Sequence, residues 1–454
     1  MSSKSKSKAL TNKNDLTAVQ AQYQQLPYPM RDPEEENTRL LSIVGESLAE
    51  LNHWLYRGKE NFKSGFRVLV AGGGTGDSST FLGEQLKNTN AEIVYLDFSF
   101  VSMEIAQKRA EIRGLKNITW IQDSILNIPK LNLGKFDFIN CSGVLHHLGS
   151  PDEGLQILSD SLSMRGGMHL MVYAKYGRTG LYHIQDMMKI VNEGVTNIDV
   201  EIKNAKSILS ALPTTNWFAR AQELISDHVN FGDIGLYDMF LHKQDRAYTI
   251  PELYQFVEHA SLHLVEFAVP ESRLLLKPQS YIKDLELLTK IKGMDIIKQR
   301  TICELISGKI IKHDFFVSKQ KDSIASVVDL DNIPYFYYNT GHIPQQMYDH
   351  FENNNIVAGS NINFNLNFPA VRVNADININ TSQCTKYIFK HLVGGTKTLR
   401  EIFDAIKQEL QVDIEDKLLV NELQITLAPF FEVGILFLRH QSINPYTDYT
   451  VAKL

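Results

Sequence analysis

Residues 66–76, Phe-Arg-Val-Leu-Val-Ala-Gly-Gly-Gly-Thr-Gly, run a short apolar strand straight into four glycines. Without side chains, such a turn lets the backbone approach a ligand closely. About twenty residues later a second apolar run, Ile93-Val94-Tyr95-Leu96, ends in Asp97, and a third, Ile118 to Gln122, ends in Asp123. Helix-length segments separate them: Ser78 to Leu86, with Asp77 as its expected N-cap, and Ser99 to Arg113, capped by Ser99 and closed by Gly114. Further strands are expected at Phe136 to Asn140, Met168 to Ala174, Leu262 to Ala268 and Ile310 to Val317, with helices from Pro151, through 249–260 and over 282–306. Strands alternating with helices of this length make a doubly wound, mostly parallel, Rossmann-like α/β sheet. Its ligands lie beyond the carboxyl ends of the strands, where the glycines and both aspartates fall.

Glycine spacing selects the ligand. A dinucleotide turn needs Gly-x-Gly-x-x-Gly, with a pyrophosphate on the helix N-terminus. Here Gly72, Gly74 and Gly76 give Gly-x-Gly-x-Gly; the third dinucleotide glycine would have to be Asp77 or Ser79. A carboxylate at position 77 would repel a phosphate at the helix start. S-adenosylmethionine, with a cationic sulfonium, a ribose and an adenine, fits instead.

At this point the chain resembles the class I S-adenosylmethionine-dependent methyltransferases. The matching segments are Val68-Leu69-Val70-Ala71-Gly72-Gly73-Gly74-Thr75-Gly76, then Asp97, Gln122-Asp123-Ser124, and Ser142-Gly143-Val144-Leu145-His146-His147-Leu148. The resemblance covers residues 60–180 and extends to about residue 320. It implies that Gly72, Gly74 and Gly76 line the methionine and ribose, and that Asp97, beside Phe98, takes the ribose hydroxyls. It further implies Asp123 and Ser124 at the adenine amino group, and Ser142 along the cofactor. Read without it, Asp97 and Asp123 would simply cap the loops that follow their strands. The chain departs from the family at Val70, where an acid usually helps order the turn around the methionine moiety.

The donor is already activated, so an enzyme of this kind aligns nucleophile, methyl and sulfur, excludes water and, where needed, removes a proton. His146 or His147 could be that base, since imidazole titrates near working pH; packing under the cofactor is the alternative for either. The segment Tyr173 to Gly180 offers Tyr176 to the reaction and Arg178 to an anionic substrate group; a solvated loop is the other reading. Tyr23, just before a proline-rich stretch, 26–33, and Tyr28 and Arg31 within it are candidates for a lid over the cofactor or for a packed linker. Asn140-Cys141-Ser142-Gly143 lacks the acidic or Asn-Pro-Pro-aromatic motif of exocyclic-amine nucleic-acid methyltransferases. A net charge of −6 also argues against nucleic acid as acceptor. An oxidoreductase on the same sheet lacks its third glycine, and a non-catalytic relative would retain the pocket without the reaction.

A chain of 454 residues exceeds one core. The expected units are a tail and helical lid segment (1–62), a methyltransferase domain (63–320) with a helical insertion at 180–247, and a smaller C-terminal α+β, winged-helix-like domain (321–454). Packing or homodimerisation is the expected role of that last unit, which carries few helix signals over 321–360. With the insertion it points to a bulky acceptor, a small molecule or a protein. Cys141, Cys303 and Cys384 share no metal or disulfide spacing, so no metal site and a reducing, cytoplasmic compartment are expected. Met1 to Lys8 is a basic tail with no apolar segment behind it. The most apolar late stretch, Leu418 to Leu438, carries Asn421, Glu422, Gln424, Pro429 and Glu432, which rules out a membrane span there. The final Ala452-Lys453-Leu454 is close to a peroxisomal address.

Overall fold

A computed structural model describes residues 26–449, apart from 226, 243, 355 and 369–372. Tyr23, the basic tail and Ala452-Lys453-Leu454 lie outside the described residues.

The central sheet has eight strands: β1 (Ser64–Ala71), β2 (Asn90–Asp97), β3 (Ile118–Gln122), β4 (Phe136–Ser142), β5 (Leu162–Ala174), β6 (Ala247–Tyr248), β7 (His263–Phe267) and β8 (Lys312–Ser318). Their order is β3-β2-β1-β4-β5-β8-β7, with the short β6 beside β5. β8 runs antiparallel to β5 and β7, and the remaining pairings are parallel. Alternation along each strand feeds two cores: Val68 and Val70 face one, Leu69 and Ala71 the other, and all four are fully buried. The order reverses between β1 and β4, which opens a crevice at their carboxyl ends.

Several local readings hold in detail. Ser99 accepts from the Ser102 N–H and starts the helix Phe100–Ile112. Ser150 caps Pro151–Ser161, and Thr249 forms a capping box with Glu252 ahead of Ile250–His259. Others differ. Asp77 is not a cap: the helix Asp77–Leu86 starts from Gly76 in a left-handed conformation, and the Asp77 carboxylate turns to two arginines. The run 282–306 is two helices, Leu285–Lys292 and Ile296–Ser307, because Asp295 restarts the chain by capping the Lys298 N–H.

The insertion is helical, with Thr179–Val191, Ile198–Ser210, Trp217–Ala221 and Gly232–Phe240 around a core of their own. Beyond the sheet, β9 (Asn332–Phe336) pairs antiparallel with β12 (Leu436–His440), and β10 (Asn361–Phe368) with β11 (Val373–Asn380). Between β9 and β10 lies a helix, Ile343–Asn353, that the weak local signals of 321–360 did not reveal. Its apolar positions, Ile343, Met347 and Phe351, are buried at helical spacing. Helices Thr385–Leu392, Leu399–Leu410 and Asp416–Val433 complete the region.

Residues of this C-terminal region and of one sheet face form a single apolar core, joined through the helix Leu48–Leu55. At that seam the His53 ring Nδ1 accepts the Leu438 N–H at 3.1 Å, and the His53 carbonyl accepts the Ala325 N–H at 2.7 Å. Burial, helped by Arg273, pushes His53 down to about 3, so the ring stays a neutral acceptor.

Candidate cofactor and acceptor site

The crevice is a cavity of about 530 Å³. One wall is the glycine turn, Gly72, Gly73, Gly74 and Thr75; the ends of β2, β3 and β4 add Asp97, Phe98, Asp123, Ser124 and Ser142. Gly76 lies off this wall and packs on Ala106 in the next helix.

With Val70 in place of an acid, the turn is held from β2. The Gly72 and Gly73 N–H groups reach the Leu96 carbonyl at 2.7 and 3.2 Å, and the Tyr95 hydroxyl donates to the Gly74 carbonyl at 2.6 Å. Gly73 is required there, because a Cβ would sit 2.1 Å from the Tyr95 ring. Asp97 accepts the Gly74 N–H on Oδ2 at 2.8 Å and the Ser99 N–H on Oδ1 at 2.7 Å. The Phe98 N–H is a third backbone donor, and a carboxylate offers about four acceptor sites, so room for a ribose hydroxyl remains. Burial raises the Asp97 carboxyl against the pull of these backbone donors. Asp123 accepts from the Ser124 N–H and the Asn127 amide, both at 2.7 Å, while the Ser124 hydroxyl caps the short helix after β3.

Asp77 meets Arg31 at 2.7 Å and the buried Arg109 at 2.6 Å. Burial opposes its charge, but the hydrogen bond from Arg31 and the Arg109 charge outweigh it and hold the carboxyl below its ordinary range. Arg31 is therefore committed to the turn and does not line the cavity. Neither guanidinium is left over for a diphosphate, so the residues present fit a donor with a cationic sulfur, a ribose and an adenine.

The cavity is also lined by Tyr28, whose carbonyl lies 3.4 Å from a Cβ built at Gly74, by Tyr173 and Arg178, and, from the insertion, by Leu224, Ile225, Asp227 and Asp238. The Tyr28 hydroxyl donates to Asp227 at 3.0 Å and pins the N-terminal segment across the cavity. Tyr28→Phe is expected to remove about 1 kcal/mol from that closure. Hydrogen exchange over residues 26–31 should quicken several-fold, while exchange in β1 stays unchanged.

His146 and His147 part company. His146 is fully buried, its ring centroid 4.0 Å from that of Tyr173 with the planes tilted by 41°, has no hydrogen-bond partner on either ring nitrogen, and is not among the cavity walls. Burial, with charge from His147 and Arg178, drives its pKa well down, so it packs as a neutral ring. His147 lines the cavity, and its Nδ1 meets the Gln244 carbonyl at 2.8 Å, which places the proton on Nδ1 and leaves Nε2 basic. Tyr176 is 37% exposed and outside the cavity; the tyrosine brought to the wall is Tyr173. Arg178 lies 3.6 Å over the Tyr173 ring and 3.9 Å from Asp245, so its charge is already faced. Asp227 and Asp238 escaped the sequence reading, since nothing local marks an insertion residue as facing the sheet; Tyr173, at the end of β5, was passed over for Tyr176. Among the described residues no group of three or more His, Cys, Asp or Glu side chains is arranged to hold a metal ion, and no helix is long and apolar enough to cross a membrane.

The strand order, the glycine turn and the paired carboxylates at successive strand ends are the features by which the chain resembles class I methyltransferases. Residues 62–211 match the model of a methyltransferase domain. An uncharacterised protein of Synechococcus sp. is 30% identical over 257 residues, 56% of this chain and 60% of that one. An uncharacterised protein of Rickettsia prowazekii is 28% identical over 189 residues, 41% of this chain and 31% of that one. The chain thus spans 60% and 31% of the lengths of these two relatives. The structure of PKMT2 from Rickettsia typhi in complex with AdoHcy superposes with a TM-score of 0.55 at 17% identity, over 87% of this chain and 74% of that one, a likeness of fold.

Proposed function

We propose that this chain transfers a methyl group to a bulky acceptor, a small molecule or a protein, admitted between the glycine turn and the helical insertion. The observation that carries the reading is the shared cavity: its lining joins the glycine turn and the strand-end aspartates, which suit a nucleoside, to Asp227 and Asp238 of the insertion, with the Tyr28 hydroxyl reaching Asp227. A volume of about 530 Å³ falls in the ~300–1,000 Å³ range of small-molecule sites.

When bound, the cofactor supplies an activated methyl group on a positive sulfur. The chain's own residues bind, orient and dry the site. Asp97 would take the ribose hydroxyls, Asp123 with Ser124 the adenine edge, and Gly72 and Gly74 the methionine side. His147 Nε2 would accept a proton where the acceptor must lose one. Tyr28 and Tyr173 would close over the reacting atoms, since excluding water strengthens every charge interaction inside.

Two measurements test this. Calorimetry should give micromolar binding of S-adenosylhomocysteine and no heat with NADH. Incubation with methyl-labelled S-adenosylmethionine and fractionated lysate should then put label into one fraction. Binding without labelling of any fraction would make the chain a non-catalytic relative, and label only in compact metabolites would remove the case for a bulky acceptor.

A further inference from the structure

Among the carboxylates that line the cavity, Glu46 is given no contact by the expected binding mode. Glu46 precedes the helix Leu48–Leu55 and reaches the carboxyl ends of β1 and β4. Its side chain is 1% exposed and lines the cavity. Oε1 accepts from the Asn140 amide at 2.7 Å and the Ser78 hydroxyl at 2.8 Å. Oε2 is buried and has no hydrogen-bond partner. An orphaned, desolvated carboxylate oxygen is costly unless something supplies a donor or a positive charge.

The fold builds this position deliberately. The Gln85 amide donates to the Glu46 carbonyl at 3.0 Å, and Ser47 begins a capping box with Glu50. Gly45 lets the backbone pass over His169, whose Nε2 would lie 2.7 Å from a Cβ there. The neighbouring imidazole faces the other oxygen: His169 Nε2 meets Asp314, and its Nδ1 stands 3.5 Å from Glu46 Oε1, the oxygen that already has two donors, so Oε2 is left without a partner.

Position along the sheet says what Oε2 awaits. With the adenine at the end of β3 and the ribose at the end of β2, the rest of the ligand must run over β1 toward β4, each strand step being about 4.8 Å. Asn140, which holds Glu46, is the register partner of Val70. The carboxylate therefore stands one strand across from Val70, where the β1 turn itself carries no acid.

We propose that Glu46 Oε2 receives the α-ammonium group of the cofactor's methionine portion. The proposal rests on S-adenosylmethionine being the ligand, and its test separates the two. Three probes are titrated calorimetrically into wild type and Glu46→Gln: S-adenosylhomocysteine, 5′-methylthioadenosine, which lacks the amino-acid portion, and the deamino analogue of S-adenosylhomocysteine. The Gln variant should bind S-adenosylhomocysteine about 30- to 100-fold more weakly, the usual size of a lost charge-assisted contact, while 5′-methylthioadenosine binds both proteins alike. The deamino analogue should bind wild type weakly, with no further loss in the variant. Equal binding of S-adenosylhomocysteine by both proteins overturns the assignment. So does a wild type that does not distinguish S-adenosylhomocysteine from its deamino analogue, a result that needs no variant to fold. Failure of wild type to bind any of the three would instead overturn the choice of cofactor.

Discussion

Replacing Asp97 by alanine is expected to weaken S-adenosylhomocysteine binding by at least about 100-fold. On the proposed binding mode the carboxylate accepts both ribose hydroxyls, and a hydrogen bond to a charged group is worth about 1.5–3 kcal/mol. Losing two removes about 3–6 kcal/mol, and tenfold corresponds to about 1.4 kcal/mol. The substitution also frees the Gly74 N–H, now 2.8 Å from Asp97 Oδ2, and so loosens the turn that must face the ligand. Asp97→Asn should be milder, because the amide oxygen can keep one backbone donor. Calorimetric titration reads both variants, with circular dichroism as the control for folding. Unchanged affinity in Asp97→Ala would mean that the carboxylate only caps its loop.

Asp314→Asn should be the most destabilising single change in the polar layer behind the site, by about 3–5 kcal/mol, the usual cost of leaving one member of a buried ion pair without its partner. His169 is buried between Asp314 and Glu46. Burial opposes its charge, yet Asp314 and then Glu46 raise it to about 10. Asp314 is held below its ordinary value of 3.8: burial raises it, and the His169 and Lys312 charges outweigh that. The sign follows from linkage. A raised histidine gives stability that is fully present below about pH 6.5, its unfolded value, and lost as pH climbs toward the folded value. The lowered aspartate gives stability present above its unfolded value and lost on acidification. Urea denaturation of wild type should therefore show declining stability between pH 6.5 and 10, and a flatter slope in Asp314→Asn. A loss below about 1 kcal/mol, with the alkaline slope unchanged, would contradict the pair.

The sheet was legible because its signals are local. Strands ending in glycines or aspartates, and helices opened by Ser99, Ser150 and Thr249, carry their reasons within a few residues. The lining of the crevice was legible for the same reason, since Gly72, Gly74, Asp97 and Asp123 sit at successive strand ends. What failed depends on contacts distant in sequence. Asp77 read as a helix cap until Arg31 and Arg109, 46 and 32 residues away, claimed it. Tyr176 and Tyr173 are three residues apart, and only the path of the loop decides which one meets the cavity. Glu46 looks like an ordinary acid beside a helix start; the Asn140 amide that aims it comes from 94 residues downstream. The apolar seam of the C-terminal region with Leu48–Leu55 is likewise invisible until both ends of the chain are placed.

Crystals grown with S-adenosylhomocysteine test the central claim most directly. The account predicts the ribose hydroxyls on Asp97, the adenine edge at Asp123, and the sulfur over Gly72 with its open side toward Tyr28 and Tyr173. Density for the nucleoside in another cleft, or a dinucleotide with its diphosphate against Gly74, would contradict it.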